Sequence, residues 1–388
     1  MIYFLYLSVG YLLCTSLVLW MNKLDFSPLL PADDPADFES PPLVSICIPA
    51  RNEEDVIERA VQSVLRQTYP NVELLVLDDK STDATSAILG KIKIDEQELL
   101  TIMTGKNKPD NWLGKSWACH QLSKKASGDI LFFLDADAWL EPEAISRAVK
   151  TMDRDDVDFI TVWPMQKLGT FWEKLVIPIV YYGLLSLLPA RYVHRTPNWI
   201  PPSHRKRFAP RFAAACGQCM IFKKEAYYGI GGHQSVKNEI VEDVALAKQI
   251  KKHGYSMRMY HGEGAVHCRM YTSGTEMWQG FRKNFLALYN NSVLAFSVIA
   301  LLNFIVYVVP FLYLPFALAG GNTTHTLLCF ISIFLIYAHR VVLAYWYQWS
   351  RALSLTHPLG VLWFHTLGVQ VLTDYFKGNA PEWKNRPT

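Results

Sequence analysis

Two aspartates separated by one residue follow a short apolar stretch in the first half of the chain. Residues 130–134 read Ile-Leu-Phe-Phe-Leu, and Asp135 and Asp137 come directly after them. Because side chains alternate along an extended strand, both carboxylates point to the same side at its end. Hard carboxylate oxygens placed in this way can share a divalent cation. For this short motif alone, a solvated turn is the alternative interpretation.

Further carboxylates stand at the ends of other predicted elements. An apolar strand over 72–77 ends in Asp78 and Asp79, and Glu242 and Asp243 begin a predicted helix. Acidic residues at a strand end are also common on ordinary surfaces, which is the alternative for Asp78. An acidic pair in a first helical turn can simply favour the helix dipole, which is the alternative for Glu242 and Asp243.

The elements that position these residues alternate between strand and helix. Residues 43–52 form an apolar stretch that ends in a proline-marked loop, and apolar residues at helical spacing begin at Val56. The strand over 72–77 is followed by another helical pattern from Ala84. Such alternation predicts an open, largely parallel sheet, which binds ligands beyond the carboxyl ends of its strands. We therefore expect Asp79 and Asp137 to meet in one cleft.

Apolar segments at both ends of the chain predict membrane attachment. Hydrophobic residues make up 51% of the 388 residues, and residues 1–20 carry no charged side chain. A bilayer crossing needs about 20 apolar residues, so 1–22 is interpreted as an anchor. It lacks the basic start and the small-residue cleavage site of a signal peptide. Further apolar stretches cover 293–319, 327–346 and 359–375, and together they predict C-terminal transmembrane helices within 291–376.

Other segments complete the predicted domain organisation. Residues 23–42 are a proline-rich acidic linker, and 377–388 are predicted as a cytoplasmic tail. The apolar segment within 171–190 is too short to span and predicts an interfacial or re-entrant segment, with a buried core helix as the alternative. Basic residues are dense in the middle of the chain, which places that domain in the cytoplasm and the protein in the cell membrane. Arg340 lies within the apolar stretch 327–346, where a charged residue is unusual for a membrane span.

Charge and cysteine content exclude some classes of protein. A net charge of +3 without a basic stripe gives no support for nucleic-acid binding. Seven cysteines, an odd number, fit a reducing compartment rather than a disulfide framework. Cys216 and Cys219 could form half of a zinc site with His267 and Cys268, or could be small residues packed under the cleft.

The order of the motifs resembles that of membrane-bound family 2 glycosyltransferases of the inverting, GT-A-fold type. The resemblance covers residues 43–290 and is closest to enzymes that glycosylate hopanoids, carotenoids or glycerolipids. It implies an α/β fold, with a Rossmann-like, mostly parallel sheet flanked by helices, plus N- and C-terminal transmembrane helices. The motifs are Pro49-Ala50-Arg51-Asn52-Glu53, Asp78-Asp79-x-Ser81-x-Asp83, Asp135-x-Asp137, Glu242-Asp243 and Gln279-x-x-Arg282.

The resemblance implies how the donor is held. Asp137, with Asp135 beside it, would hold Mg²⁺ or Mn²⁺ against the diphosphate of a nucleotide sugar, expected to be a UDP-sugar. Asp135 could instead contact the sugar or the ribose. Positions that match Pro49, Arg51, Glu53 and Asp79 line the nucleoside pocket in the family. Lys115 follows a glycine as in many members, and either contacts the diphosphate or is a solvated loop lysine.

The resemblance also implies how the acceptor reacts. Asp243 would act as the general base on a lipid hydroxyl, with inversion at the anomeric carbon. Gln279 and Arg282 would lie over the diphosphate, and Lys283 replaces the tryptophan that follows this motif in the family. That replacement favours transfer of a single sugar over a processive polysaccharide synthase. A non-catalytic, nucleotide-binding membrane partner is a further alternative, although the retained Asp79, Asp137 and Asp243 argue against it.

Overall fold

The computed structural model describes residues 1–32, 40–95, 99–289 and 291–378, with two short strands at 382–383 and 386–387. Parts of the predicted linker and of the predicted tail lie outside the described residues. The chain divides into two compact units. The sheet unit contains 26–167 and 190–270, whereas the helical unit contains 1–25, 168–189 and the chain from Tyr271 onwards. The predicted domain 43–290 is thus shared between two units.

The sheet unit is built on a seven-stranded sheet with the order β3-β2-β1-β4-β8-β6-β9 and a smaller sheet with the order β5-β10-β7. The strands are β1 Val44–Ala50, β2 Val72–Asp78, β3 Leu100–Thr104, β4 Ile130–Leu134, β5 Ala138–Leu140, β6 Phe159–Trp163, β7 Met165–Gln166, β8 Cys219–Lys223, β9 Met257–His261 and β10 Val266–Cys268. Strands β1 to β4 run parallel to one another, while β8 runs antiparallel to both of its neighbours. The predicted mostly parallel sheet is confirmed.

Helices flank this sheet because their apolar faces must be buried. In the helix after β1, the apolar side chains recur every three to four residues and are buried. The sheet-unit helices are α2 Ile57–Leu65, α3 Thr85–Asp95, α4 Gly114–Lys125, α5 Ala144–Arg154, α7 Ala190–His194, α8 Pro202–Phe208, α9 Lys224–Gly229 and α10 Glu242–His253. Each fully buried Val, Leu, Ile or Phe side chain contributes about 1.5–3 kcal/mol to folding.

Strand register places the polar loops at one edge of the sheet. Ala50 at the end of β1 is paired with Asp78 at the end of β2, and β4 lies parallel on the other side of β1. Because β8 is antiparallel, the loop that precedes it lies at the same edge, and Leu134 is paired with Cys219. The residues after β1, β2 and β4 and those before β8 therefore surround one end of the sheet.

The helical unit contains the apolar segments. Its helices are α1 Ile2–Asp25, α6 Phe171–Leu187, α11 Gly274–Asn284, α12 Val293–Tyr307, α13 Val309–Ala319, α14 Thr323–Trp346 and α15 His357–Lys377, followed by the strands β11 Glu382–Trp383 and β12 Arg386–Pro387. Among the described residues, α1 and α14 are long and apolar enough to cross a membrane, and a third span arises if 274–289 and 293–307 count as one bent pair.

Two predicted C-terminal segments differ in the structure. Residues 293–319 form two helices that break at Val308 rather than one, because Pro310 has no backbone N–H to continue the hydrogen-bond ladder. The stretch 359–375 lies within α15, which is 21 residues long but is not apolar enough to count as a candidate span. That helix begins with a histidine and carries Asp374 near its end.

The short apolar segment after residue 170 is a helix with a defined start. Thr170 caps α6 and Glu173 reaches back to the backbone of Thr170, which together form a capping box. The helix packs against α1, α14 and α15 of the same unit. It leaves Phe171, Trp172 and Leu187 exposed. Its interfacial role stays a prediction.

The two long apolar helices predict how the protein is extracted. The full chain should remain in the membrane fraction after a carbonate wash and require detergent for release. Removal of residues 1–25 should not change this result, because α14 is a second candidate span. Immunoblots of pellet and supernatant give the measurement. Recovery of the full chain in the wash would contradict the prediction.

Candidate active site

Hydrogen bonds from the Arg51 side chain link the loop after β1 to the loop after β2. Its guanidinium Nη1 donates to the backbone oxygen of Asp79 at 2.5 Å and to that of Lys80 at 3.2 Å. Pro49 is half-buried near the end of β1, and Asp79 is buried directly after β2. Three of the four residues predicted for the nucleoside pocket thus share one corner of the sheet.

A second set of hydrogen bonds fixes Glu53 in the same corner. Asn52 adopts a left-handed backbone conformation with a φ of 52°, and its amide oxygen accepts from the backbone N–H of Thr82 at 2.8 Å. The backbone N–H of Glu53 donates to the hydroxyl of Thr85 at 2.8 Å. Asp78 accepts from the backbone N–H of Ser81 at 2.9 Å and so stabilises the turn itself. Asp78 is 7% exposed, so the alternative that it is an ordinary surface residue is wrong, and its carboxylate serves the turn instead.

Asp137 is a carboxylate that a cation would stabilise. Its Oδ1 is buried and has no hydrogen-bond partner in the part of the chain that the structure describes. Burial raises the pKa of Asp137 to about 8, and the neighbouring charges of Asp135 and Glu53 act in the same direction. The charge of Glu53, in the loop after β1, thus acts on the carboxylate that follows β4.

The donor set fits a hard divalent cation that keeps open positions. Within the described ranges, no three His, Cys, Asp or Glu side chains are grouped closely enough to hold a metal by themselves. Mg²⁺ is commonly bound through one or two carboxylates, with substrate phosphates and water as the other ligands. The zinc alternative gains no support: His267 Nε2 lies 2.7 Å from Glu141 instead, and Cys219 is buried within β8.

Lys115 connects the end of β4 to the start of α10. Its Nζ lies 2.8 Å from Asp135 Oδ2 and 3.0 Å from Glu242 Oε1. Burial alone would lower the pKa of Lys115, but these two carboxylates outweigh it and hold the pKa well above its usual range. For Glu242, burial favours the neutral form, yet the lysine lowers its pKa. Lys115 is therefore an internal ion-pair partner, not a solvated loop lysine.

Asp243 has the properties of a proton acceptor at neutral pH. Its Oδ2 accepts from the backbone N–H of Gly217 at 2.8 Å, and its Oδ1 accepts from that of Val244 at 2.7 Å. Burial and the adjacent charge of Glu242 raise the pKa of Asp243 to about 7. A general base is most effective when its pKa lies near the operating pH. The site thus holds a carboxylate suited to removing a proton from a hydroxyl group.

Comparison with known families agrees with this arrangement. Residues 45–231 match Glycosyl transferase family 2, and residues 206–371 match Glycosyl transferase family 21. The chain contains a family 2 glycosyltransferase domain. The predicted resemblance to family 2 glycosyltransferases is confirmed over these residues, whereas inversion stays a prediction.

Individual relatives support the same identification. The glycosyltransferase is 26% identical over 351 residues to a 4,4'-diaponeurosporenoate glycosyltransferase of Staphylococcus aureus strain MRSA252, covering 88% of this chain and 87% of the relative. Its fold is similar to that of the mannosyltransferase PcManGT from Pyrobaculum calidifontis, solved with GDP-Man and Mn²⁺. That match has a TM-score of 0.55 and 20% identity, and covers 93% of this chain and 98% of the other. The chain is an enzyme, as predicted.

Sequence reasoning missed Gly217 as a functional residue. A Cβ at this position would lie 3.2 Å from Lys115 Nζ and 3.3 Å from Asp243 Oδ2, so the small residue lets both side chains approach. The following residue, Gln218, is buried, and its backbone oxygen accepts from the N–H of Asp135 at 3.1 Å. The signal is a Gly-Gln pair between two cysteines just before an apolar strand, a segment that the sequence analysis interprets as half of a zinc site or as small residues packed under the cleft.

Gln279 and Arg282 of the glycosyltransferase belong to the helical unit. Both lie on α11, where Gln279 is exposed. Arg282 Nε donates to Asp374 Oδ2 at 2.7 Å within that unit. The ion pair with Asp374 orients the guanidinium, and a diphosphate contact of Arg282 stays a prediction.

Gly217 gives a test of how closely the site is packed. Gly217→Ala should lower the rate of sugar transfer by about tenfold or more, because small displacements of reacting groups are costly. Gly90→Ala is the matched control, since a Cβ there meets nothing within 4 Å. Initial rates and melting temperatures of both variants give the measurement. Full activity of Gly217→Ala would show that the two side chains can move apart freely.

Proposed function

We propose that this enzyme moves one sugar from a nucleotide-sugar donor, a UDP-sugar, to the hydroxyl group of a membrane lipid with inversion at the anomeric carbon. The proposal rests on two buried carboxylates, Asp243 and Asp137, whose surroundings suit them to different steps of the reaction. Asp243 has its pKa raised to about 7 and can accept a proton, whereas Asp137 has a buried Oδ1 that a cation would stabilise. A reaction that releases a diphosphate and deprotonates a hydroxyl group uses both.

The donor half of the site lies around Asp137. Asp137 and Asp135 would hold Mg²⁺ or Mn²⁺, which would neutralise the negative charge of the departing diphosphate. Arg51, Glu53 and Asp79, with Pro49 at the end of β1, are proposed to line the nucleoside pocket. The complex of PcManGT with GDP-Man and Mn²⁺ supports a nucleotide sugar and a divalent metal.

The acceptor half of the site lies around Asp243. Its carboxylate would take the proton of the acceptor hydroxyl as the oxygen attacks the anomeric carbon. Attack from the face opposite the leaving group inverts the configuration. Lys115 compensates the charge of Glu242, so that Asp243 remains ionised at neutral pH in a useful fraction of molecules. Gln279 and Arg282 are proposed to complete the diphosphate site.

A lipid acceptor is supported by the apolar helices and by the relative. The two candidate spans of the helical unit would keep the enzyme at a bilayer, where apolar acceptors are found. The name of the Staphylococcus aureus relative specifies 4,4'-diaponeurosporenoate as the compound that it glycosylates. We place the sheet unit on the cytoplasmic side of the cell membrane.

The proposed reaction has a direct test. The detergent-purified enzyme is incubated with a panel of labelled nucleotide sugars and a total lipid extract, and the product is separated and examined by NMR. We expect one labelled lipid that carries a single sugar of opposite anomeric configuration to the donor. A ladder of products would indicate a polysaccharide synthase, and retained configuration would refute direct displacement.

Metal dependence follows from the buried Asp137. Excess chelator should abolish transfer, and Mg²⁺ or Mn²⁺ should restore it, whereas Zn²⁺ should do so poorly because it prefers nitrogen and sulfur ligands. Asp137→Asn should weaken donor binding in the presence of metal, as measured by calorimetry. Asp156→Asn is the control, because the Asp156 side chain is 96% exposed. Unchanged donor affinity in Asp137→Asn would point to Asp135 as the principal ligand.

Asp243→Asn should separate chemistry from donor binding. The amide keeps the size of the side chain but cannot accept the proton, so transfer should fall by about 10² to 10⁴-fold while donor affinity persists. In the wild type, kcat should decrease as the pH falls through about 7, because protonation removes the base. This acidic limb should be absent from the residual activity of Asp243→Asn. Near-normal turnover of the variant would leave Glu242 as the residue to test.

A further inference from the structure

The part of the sheet unit between residues 190 and 212 carries a strong excess of positive charge. It contains six lysines and arginines and no aspartate or glutamate, although the whole chain has a net charge of only +3. Four of the six are exposed, namely Arg195, Lys206, Arg207 and Arg211. None of these four forms an ion pair with a residue that the structure describes. Their positive charges are therefore not neutralised within the described chain.

The two short helices of this segment bury none of their side chains. α8 and the 3₁₀-helix Ala209–Phe212 that follows it contact each other and α10, but every one of their side chains remains at least partly accessible. The guanidinium of Arg211 lies over the Phe208 ring at 4.7 Å from its centroid. An isolated helix of this length is unstable in water, because most helical stability comes from burial of one face. A binding partner that covers α8 would supply such burial.

An exposed tryptophan lies in the loop that leads into α8. Trp199 is 73% exposed, whereas the next residue, Ile200, is buried. The backbone oxygen of Ile200 accepts from Arg205 Nε at 3.1 Å, which links this loop to α8. Tryptophan rings are enriched where a membrane meets water, because they combine an apolar body with a polar N–H group. We define the basic surface as Trp199, Lys206, Arg207 and Arg211.

The neighbouring helix α10 adds further positive charge. Its second half carries the exposed lysines Lys248 and Lys252, which are four residues apart and so lie on one face of the helix. Its acidic residues, Glu242 and Asp243, stand in its first turn and neither is exposed. Glu242 is already paired with Lys115. The helix that packs against the basic surface therefore brings no exposed carboxylate to it.

The position of the basic surface in the chain favours a membrane as its partner. The apolar helix α6 ends at Leu187, and α7, which begins the basic segment, starts at Ala190. Clusters of lysine and arginine next to membrane-associated segments bind anionic lipids, and each residue raises the apparent affinity about fivefold. Exposed cations together with an exposed tryptophan match the headgroup region of an anionic bilayer, where both charge and partial burial of a ring are satisfied.

We propose that the basic surface docks on the headgroups of anionic phospholipids at the surface of the membrane that anchors the chain. The lysine and the two arginines would contact headgroup phosphates, and the Trp199 ring would enter the interface between water and hydrocarbon. This contact would cover α8. The inference requires only a chain that is anchored in a bilayer, and it does not depend on the proposed sugar transfer.

The test uses the full chain reconstituted in nanodiscs of phosphatidylcholine alone or of phosphatidylcholine mixed with phosphatidylglycerol. Hydrogen exchange of the backbone amides is measured by mass spectrometry for peptides that cover 203–212. We expect exchange in these peptides to slow when phosphatidylglycerol is present. High salt should abolish this slowing, because it screens exposed charges. Equal exchange in the two kinds of nanodisc, or slowing that persists in high salt, would overturn the proposal.

Substitutions then locate the contact. A variant that combines Lys206→Gln, Arg207→Gln and Arg211→Gln should lose the slowing by phosphatidylglycerol, because three charges at about fivefold each lower the apparent affinity about a hundredfold. The matched control combines Lys124→Gln and Lys125→Gln, which removes two exposed lysines of α4 in the same unit. We expect the control to behave as the wild type does. Slowing retained by the triple variant, or lost by the control, would overturn the assignment to the basic surface.

Soluble anions and sugar transfer provide further controls. Soluble RNA or glycerol phosphate added to the phosphatidylcholine nanodiscs should leave exchange over 203–212 unchanged, and slowing equal to that caused by phosphatidylglycerol would assign the surface to a soluble anion and overturn the proposal. In detergent, the triple variant should transfer sugar at the wild-type rate. Loss of transfer would make these residues part of the reaction site and would also overturn the proposal. Because exchange is measured without substrate, failure of the proposed sugar transfer would not change its result.

Discussion

Several carboxylates lie at one end of the sheet, and the positive charge of Lys115 offsets the repulsion between them. Like charges at such short separation repel strongly where water is largely excluded. Lys115 contacts Asp135 from the end of β4 and Glu242 from the start of α10. Gly217 provides the space for this contact, since a side chain there would press on both Lys115 and Asp243. The positions of the candidate catalytic carboxylates therefore depend on the ammonium group of Lys115 and on the absence of a side chain at Gly217.

The same charge distribution gives the carboxylates different chemistry. Burial opposes ionisation of Glu242, but its contact with Lys115 lowers its pKa. Asp243 lies beside Glu242 and has its pKa raised to about 7, which suits a base. Burial and the charges of Asp135 and Glu53 raise the pKa of Asp137 to about 8, and a cation bound beside it would favour the ionised form. Environments that move the pKa values of neighbouring carboxylates apart are what assign separate roles to them.

The helical unit follows a different constraint, because its apolar helices require an apolar solvent. Its helices α1, α6, α14 and α15 pack against one another, while large apolar side chains such as Trp20 and Phe334 stay exposed. Exposed apolar side chains in this number are typical of surfaces covered by lipid. Within this surrounding, polar groups must find partners inside the unit or from the lipid. His339 finds them in Ser16 and Tyr182, whereas Nε and Nη1 of Arg340 have no hydrogen-bond partner among the described residues.

The sequence by itself determined the alternating strands and helices, the parallel core of the sheet and the long apolar helices α1 and α14. These features depend on local periodicity and on runs of apolar residues, which can be seen without long-range contacts. It also pointed to the acidic residues at the strand ends, because their spacing and order follow from the strands themselves. The two-unit division was not visible, since it depends on how 168–189 returns to the helices of the chain ends.

Tertiary structure alone decided which charges meet. Lys115 and Glu242 are separated by 127 positions in the chain, yet their side chains form an ion pair at 3.0 Å. Gly217 has no chemistry of its own, so only its contacts with Lys115 and Asp243 give it a role. Arg282 is a further example. The order of the motifs predicts that it lies over the diphosphate of the donor, and in the folded chain it forms an ion pair with Asp374. Periodicity fixes local structure, whereas pKa values and ion pairs depend on distances that only the folded chain defines.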